Sequence, residues 1–141
     1  MPTHSETVEI ARPAEEVWRL LGEPERWLEG YVETRFRSPN YPAAGTRNDH
    51  VFHTRIDEEV SVGVARSGEP TLLEERHEGK TFSRALRYRL TRIDGSTRLT
   101  VEDEISFKGL AKLASPIAFR DVRRRWAHSL GRLRSVLEAG A

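Results

Sequence analysis

"FSRALRYRLTRIDGSTRLTVEDEISF", residues 82–107, is the stretch whose reading decides how this chain pairs with itself. Two alternating runs, Phe82–Ile93 and Thr97–Phe107, flank Asp94-Gly95, a dipeptide suited to a two-residue hairpin loop. Such a loop sets Ile93 opposite Ser96, Leu90 opposite Leu99, Tyr88 opposite Val101, Leu86 opposite Asp103 and Arg84 opposite Ile105. The other face then pairs Arg87 with Glu102 and Arg89 with Thr100. One face is apolar and the other polar, as in a sheet covered on one side only.

Working toward the N-terminus, Gly79-Lys80 reads as another two-residue loop. It would set His77 opposite Phe82, Glu75 opposite Arg84 and Leu73 opposite Leu86. Further alternating segments are expected at Thr71–His77, Val60–Ser67, Arg47–Ile56 and Tyr31–Arg37. They are separated by Gly68-Glu69-Pro70 and by Asn40-Tyr41-Pro42 with Gly45, all turn-forming residues. Links this short leave antiparallel pairing as the only choice, because a parallel crossover needs a dozen or more residues. Thr3–Ile10 alternates too, with Val8 and Ile10 on one face. Pro13 then opens a short helix with Val17, Leu20 and Leu21 inward, Gly22 ends it, and Pro24 begins a second short turn.

Toward the C-terminus, Ser115-Pro116 reads as an N-cap and first-turn proline of a helix running to about Ala139. Phe119, Val122, Trp126, Leu130, Leu133 and Leu137 fall on one stripe. Gly131 beside that stripe suggests a close backbone approach. Arg120, Arg124, Arg125 and Arg132 form the opposite, solvated face. The order is strand, two short helices, six strands and a long helix, about seven strands in all. This is an α+β chain whose curved antiparallel sheet wraps around the C-terminal helix.

The 141 residues fit one domain, 1–141. Hydrophobic residues are 37% and charged residues 32%, with a net charge of +1, so the overall field favours no nucleic acid partner. Of the 23 basic residues only Lys80, Lys108 and Lys112 are lysine, a skew that arginine-favouring codon usage accounts for. With no cysteine, disulfides, thiolate metal sites and a cysteine nucleophile are excluded. No signal-peptide layout or membrane-length apolar run is present, which points to the cytoplasm.

The segments "VEIARPAEEVWRLLGEPERWLEGY" at 8–31, "RLTVEDEISFKG" at 98–109 and "SLGRLRSVLEAG" at 129–140 carry a resemblance. With this element order, the chain resembles the START-like, or Bet v 1-like, superfamily, and within it the bacterial polyketide cyclase/dehydrase and lipid-transport group. The specific residues are Ala11-Arg12-Pro13, Val17-Trp18, Trp27 and Gly95-Ser96-Thr97-Arg98. The resemblance implies a helix-grip fold with a cavity between the sheet and the last helix. It also implies a hydrophobic or amphipathic small-molecule ligand. Polyketide cyclase or aromatase chemistry is the alternative it leaves open, and an interaction module acting through the arginine face is a second.

Register places Glu75, His77, Arg84, Tyr88 and Asp103 on the inner face, where a charge must be paired or neutralised; Glu75 lies opposite Arg84, and Asp103 is diagonal to Arg84, within reach of its long side chain. Two readings stay open for this set: polar spots that orient a ligand, and a structural ion-pair group. The expected cavity wall is Trp27, Phe52, Glu75, Arg84, Leu86, Tyr88, Val101, Asp103, Phe119, Val122 and Trp126. Its mouth is expected near Trp27 and the Asn40–Gly45 loop. Tyr88, His50 and Asp103 are the acid/base candidates if turnover occurs. The histidines are scattered, with His50 and His53 on opposite strand faces, so neither a metal nor any other cofactor is expected. Nothing in the sequence decides between a monomer and a homodimer.

Overall fold

The computed structural model describes residues 3–53 and 56–139. Its strands are β1 (Thr3–Ile10), β2 (Tyr31–Arg37), β3 (Arg47–His53), β4 (Asp57–Gly68), β5 (Leu72–Glu78), β6 (Phe82–Ile93) and β7 (Ser96–Phe107). They form one antiparallel sheet in the order β1-β7-β6-β5-β4-β3-β2. Helix α1 (Ala14–Leu21) and a 3-10 turn (Pro24–Arg26) carry the chain from the β1 edge to the β2 edge. After a second 3-10 segment, Gly109–Ala114, helix α2 (Ser115–Ala139) lies across the inner face. This is the helix-grip architecture expected from the sequence.

The β6–β7 hairpin has the register that Asp94-Gly95 implies, from Ile93 opposite Ser96 to Arg84 opposite Ile105. Both turn residues have positive φ, 47° and 86°, as a primed turn requires of its two central residues. The β5–β6 register differs from expectation by two residues. Glu75 faces Leu86, His77 faces Arg84, and the last pair is Glu78 with Ser83. The connection therefore spans residues 79–82, closed by the Gly79 amide donating to the Phe82 carbonyl at 2.9 Å. The cause is remote in sequence. The buried carboxylate of Glu58 on β4 accepts from the Thr81 amide and the Thr81 hydroxyl, at 2.5 and 2.7 Å. A slip of two keeps every side chain on its face, so the inner-face set survives while its pairings change.

Other expectations shift locally. The strand expected over 47–56 ends at His53, and Thr54 and Arg55 lie outside the described residues, as does the final Gly140 of the segment 129–140. Ser115 is not an N-cap. It is already helical, at φ −50° and ψ −45°, and its hydroxyl donates back to the Lys112 carbonyl at 2.6 Å. The preceding 3-10 segment takes over the lead into the helix.

The core lies between the inner sheet face and the two helices. Leu73, Leu99, Ile105, Leu130 and Leu133 are fully buried in it. Helix α1 contributes more than expected, since Ala14, Val17, Trp18, Leu20 and Leu21 are all buried. The Glu138 carboxylate accepts from the Ala11 amide at 2.8 Å, so the C-terminal half of α2 is held against the lead into α1. Among the described residues the N-terminal half has no such contact with α1 or its lead.

Gly131 is exposed, and a Cβ there would meet nothing within 4 Å; the expected close backbone approach is absent. Gly131→Ala should therefore stabilise the protein by about 0.5–1 kcal/mol, because alanine loses less backbone entropy in a helix. Urea unfolding checks this, and a loss of stability would mean that the helix packs differently at this turn.

Candidate functional site

A cavity of about 270 Å³ lies between the N-terminal half of α2 and the near ends of β3, β6 and β7. The sheet supplies Phe52, Phe82, Ile105 and Phe107 to its wall, and α2 supplies Ala118, Val122 and Trp126. Leu28 and Gly30 close one side. That turn is pinned to α2 by the Glu29 amide donating to the Ser129 hydroxyl at 2.9 Å and by a 2.8 Å bond between His128 and Glu29. Ile56, Ala111 and Ala114 stand at the rim. The lining is mainly apolar with a few polar groups, the usual composition of a small-molecule pocket.

The deepest polar feature is built around Asp103, which has no exposed surface. One carboxylate oxygen accepts from Arg84 Nε at 3.1 Å and the other from the Trp126 indole N–H at 2.8 Å. Arg84 is thus held at the cavity wall by Asp103, its diagonal neighbour across the β6–β7 pair, while the β5–β6 slip takes Glu75 from its expected place opposite Arg84. Its guanidinium carbon also sits 5.2 Å over the Phe82 ring, within cation–π range. Arg125, expected on the solvated face, is half-buried and lines the cavity with Asp121. Burial pulls its pKa below the ordinary arginine value, and Asp121 and Glu29 oppose that pull.

A second polar group lies behind Phe52. Its ring is 5.6 Å from that of His50 and is stacked 6.5 Å from that of His77. His77 Nε2 and the Glu75 carboxylate are 3.0 Å apart, and the other Glu75 oxygen accepts from the Tyr41 hydroxyl. His50 Nδ1 and the Thr34 hydroxyl share a 3.0 Å bond, and that hydroxyl also meets the Tyr31 hydroxyl at 2.5 Å. His50 Nε2 and His77 Nδ1 are buried without a hydrogen-bond partner. Burial, reinforced by the nearby His77 and Arg37, lowers the His50 pKa from 6.5 to about 4, so it is neutral at pH 7. Burial first, and then the Glu75 charge, push the phenols of Tyr41 and Tyr88 well above their ordinary range.

Of the residues expected in the cavity wall, Phe52, Arg84, Val122 and Trp126 line it. Trp27, Leu86, Tyr88 and Val101 are buried in the core instead, and Phe119 is half-buried against it. Trp27, Tyr88 and Trp126 form a three-ring cluster with centroids 6.2–6.4 Å apart. Glu75 and His50 belong to the group behind Phe52, and Asp103 lies beneath Arg84. The Asn40–Gly45 loop and Trp27 are not at the mouth. Tyr41 folds inward onto Glu75, and the Trp27 indole donates to the Leu20 carbonyl at 2.8 Å. Among the described residues no three His, Asp or Glu side chains stand together as a metal site would need.

The α2 residues missed by sequence reading carried a usable signal. Ala118, Asp121, Arg125 and Ser129 recur at spacings of three and four, so they form a second stripe beside the apolar one. Ile105 and Phe107 simply extend the inner-face alternation of β7. Ile56 continues the inner-face alternation of His50 and Phe52, whereas Leu28 and Gly30 come from an irregular segment with no periodicity to read.

A family model described as polyketide cyclase / dehydrase and lipid transport matches residues 1–138. Among solved structures, a START superfamily protein from Mycobacterium smegmatis is 16% identical with a TM-score of 0.80, and 99% of each chain is covered. A protein from Thermus thermophilus matches with the same identity, TM-score and coverage. A protein from Mesorhizobium loti is 19% identical with a TM-score of 0.77, again covering 99% of both chains. At these identities the likeness is one of fold. No curated protein matches this sequence.

The buried neutral His50 has a consequence for stability. Histidine in the unfolded chain takes up a proton near pH 6.5, whereas folded His50 does so only near 4. Between these values the unfolded state binds more protons, so stability is full above pH 6.5 and falls as the pH drops toward 4. His50→Asn should flatten this part of the stability–pH curve, measured as urea midpoints across the range. An unchanged slope would show that His50 does not carry it.

Proposed function

We propose, from the premise that this chain belongs to the polyketide cyclase / dehydrase and lipid transport family, that it binds a small amphipathic molecule in the cavity under the N-terminal half of α2. One observation carries this reading. The cavity is walled by Phe52, Phe82, Ile105, Phe107, Val122 and Trp126, yet it presents a guanidinium, Arg84, fixed at its wall by a fully buried carboxylate. Apolar walls favour transfer of a hydrocarbon or ring system out of water. A pre-positioned cation favours a ligand oxygen, because a donor already held in place loses little freedom on binding.

A volume of about 270 Å³ sits near the lower end of the range for small-molecule sites. It suits one ring system or a short chain better than a diacyl lipid. The enzymatic alternative is less well supported. Tyr88, His50 and Asp103 do not line the cavity, and both oxygens of Asp103 already accept bonds from Arg84 and Trp126. A catalytic role for His50 would require substrate to pass Phe52, and one for Tyr88 would require it to pass the Trp126 ring.

The test is titration with an environment-sensitive fluorescent fatty acid. The wild-type protein should bind the probe and enhance its emission. Ala118→Trp, which places an indole in the cavity, should weaken binding at least about tenfold with little change in Tm. Equal binding by the variant, or no binding by the wild type, would remove this site from consideration.

A further inference from the structure

The cavity rim carries a surface that the ligand-binding reading does not use. The 3-10 segment Gly109–Ala114 and the first turn of α2 expose Leu110 at 85%, Leu113 at 83% and Ile117 at 52%. Ile56, 54% exposed, stands across the cavity, and Ala111, Ala114 and Ala118 of the same segment form the rim. Large aliphatic side chains this exposed and this close together are unusual on a surface that meets only water. The surrounding charge is one-sided. Between positions 108 and 125 stand Lys108, Lys112, Arg120, Arg123, Arg124 and Arg125, against the single acid Asp121. Since the whole chain carries only +1, the remainder is net negative and the positive charge is concentrated at this end. Lys108 is tied to Glu78 at 2.7 Å; Lys112, Arg120, Arg123 and Arg124 are exposed.

From these features we infer that the Gly109–Arg124 segment docks the mouth of the cavity onto an anionic lipid bilayer. Leu110, Leu113 and Ile117 insert at the level of the headgroups, and the basic residues bracket them against lipid phosphates. Ile117, Arg120 and Arg124 follow one another at helical spacings of three and four, so a single α2 stripe passes from apolar to cationic. An interfacial segment needs this combination of apolar insertion and cationic attraction. Among the described residues no helix is long and apolar enough to cross a membrane, and the contact is peripheral and reversible. Seated this way, the cavity opens toward the bilayer, so an amphipathic ligand would leave the lipid phase without crossing water.

Co-sedimentation with vesicles separates this proposal from its competitors. The wild-type protein should bind phosphatidylglycerol/phosphatidylcholine vesicles about tenfold or more better than pure phosphatidylcholine vesicles, and high salt should release it. The double variant Leu110→Ser/Leu113→Ser should lose vesicle binding while retaining its Tm and its affinity for the fluorescent fatty acid, because both side chains point into solvent. Failure of probe binding alone would count against the cavity reading and leave the docking result standing. Three outcomes would overturn the docking proposal. They are absence of binding to anionic vesicles, equal binding by the double variant, and a concentration-dependent dimer that the double variant abolishes in a protein that ignores vesicles. The last would assign the same leucines to a second copy of the chain.

Discussion

A single buried carboxylate holds the gripping helix to the sheet. Asp103 is inaccessible to water, and an unpaired charge in that position would cost several kcal/mol. Its two donors come from different layers: Arg84 from the neighbouring strand and the Trp126 indole from α2. Satisfying one charge therefore fixes the separation of helix and sheet where the cavity begins. It also orients both partners, since Trp126 presents its ring to the cavity and Arg84 lies along the wall over Phe82. The apolar core explains why the layers meet. Asp103 explains where and at what rotation.

This arrangement divides the interior. Toward the C-terminal end of α2, helix α1 and the Trp27–Tyr88–Trp126 cluster fill the gap with side chains. Toward the N-terminal end no helix equivalent to α1 covers the sheet among the described residues, and the gap remains open as the cavity. Behind Phe52 lies the polar group of His50, Glu75, His77 and Tyr41, with two ring nitrogens that lack partners. Buried polar groups are normally bonded, so these nitrogens are a local cost that the surrounding packing offsets. Phe52 stands between the apolar cavity and this packed polar group, with its ring against both His50 and His77.

Much of the fold was legible because it depends on local chemistry. Asp94-Gly95 can adopt positive φ cheaply, so the β6–β7 register followed from two residues, and the inner-face charges followed from the register. The β5–β6 loop was misread because its geometry depends on Glu58, which no local rule connects to Thr81. The same slip undoes the pairing of Glu75 with Arg84, whereas the bond from Arg84 to its diagonal neighbour Asp103 follows from the β6–β7 register alone. Ser115 looked like a cap from composition and lost that role to the 3-10 segment before it. The cavity rim was illegible as a site because Ala111 and Ala114 come from a 3-10 segment without a strand or helix period, and the exposure of Leu110 and Leu113 is invisible to hydrophobic patterning. Arg125 was assigned to solvent by helical phase alone, although it sits at the boundary of the buried stripe.

Whether the space beside Trp126 receives a ligand is read directly from the indole N–H resonances of Trp18, Trp27 and Trp126 in a nitrogen-15-labelled sample. Trp126 lies in the cavity wall with its N–H on Asp103, whereas Trp18 is buried in α1 outside that wall. On titration with a medium-chain fatty acid, the Trp126 signal should move saturably while that of Trp18 stays in place. A static Trp126 resonance, or equal movement of both, would mean that no ligand enters beside Trp126.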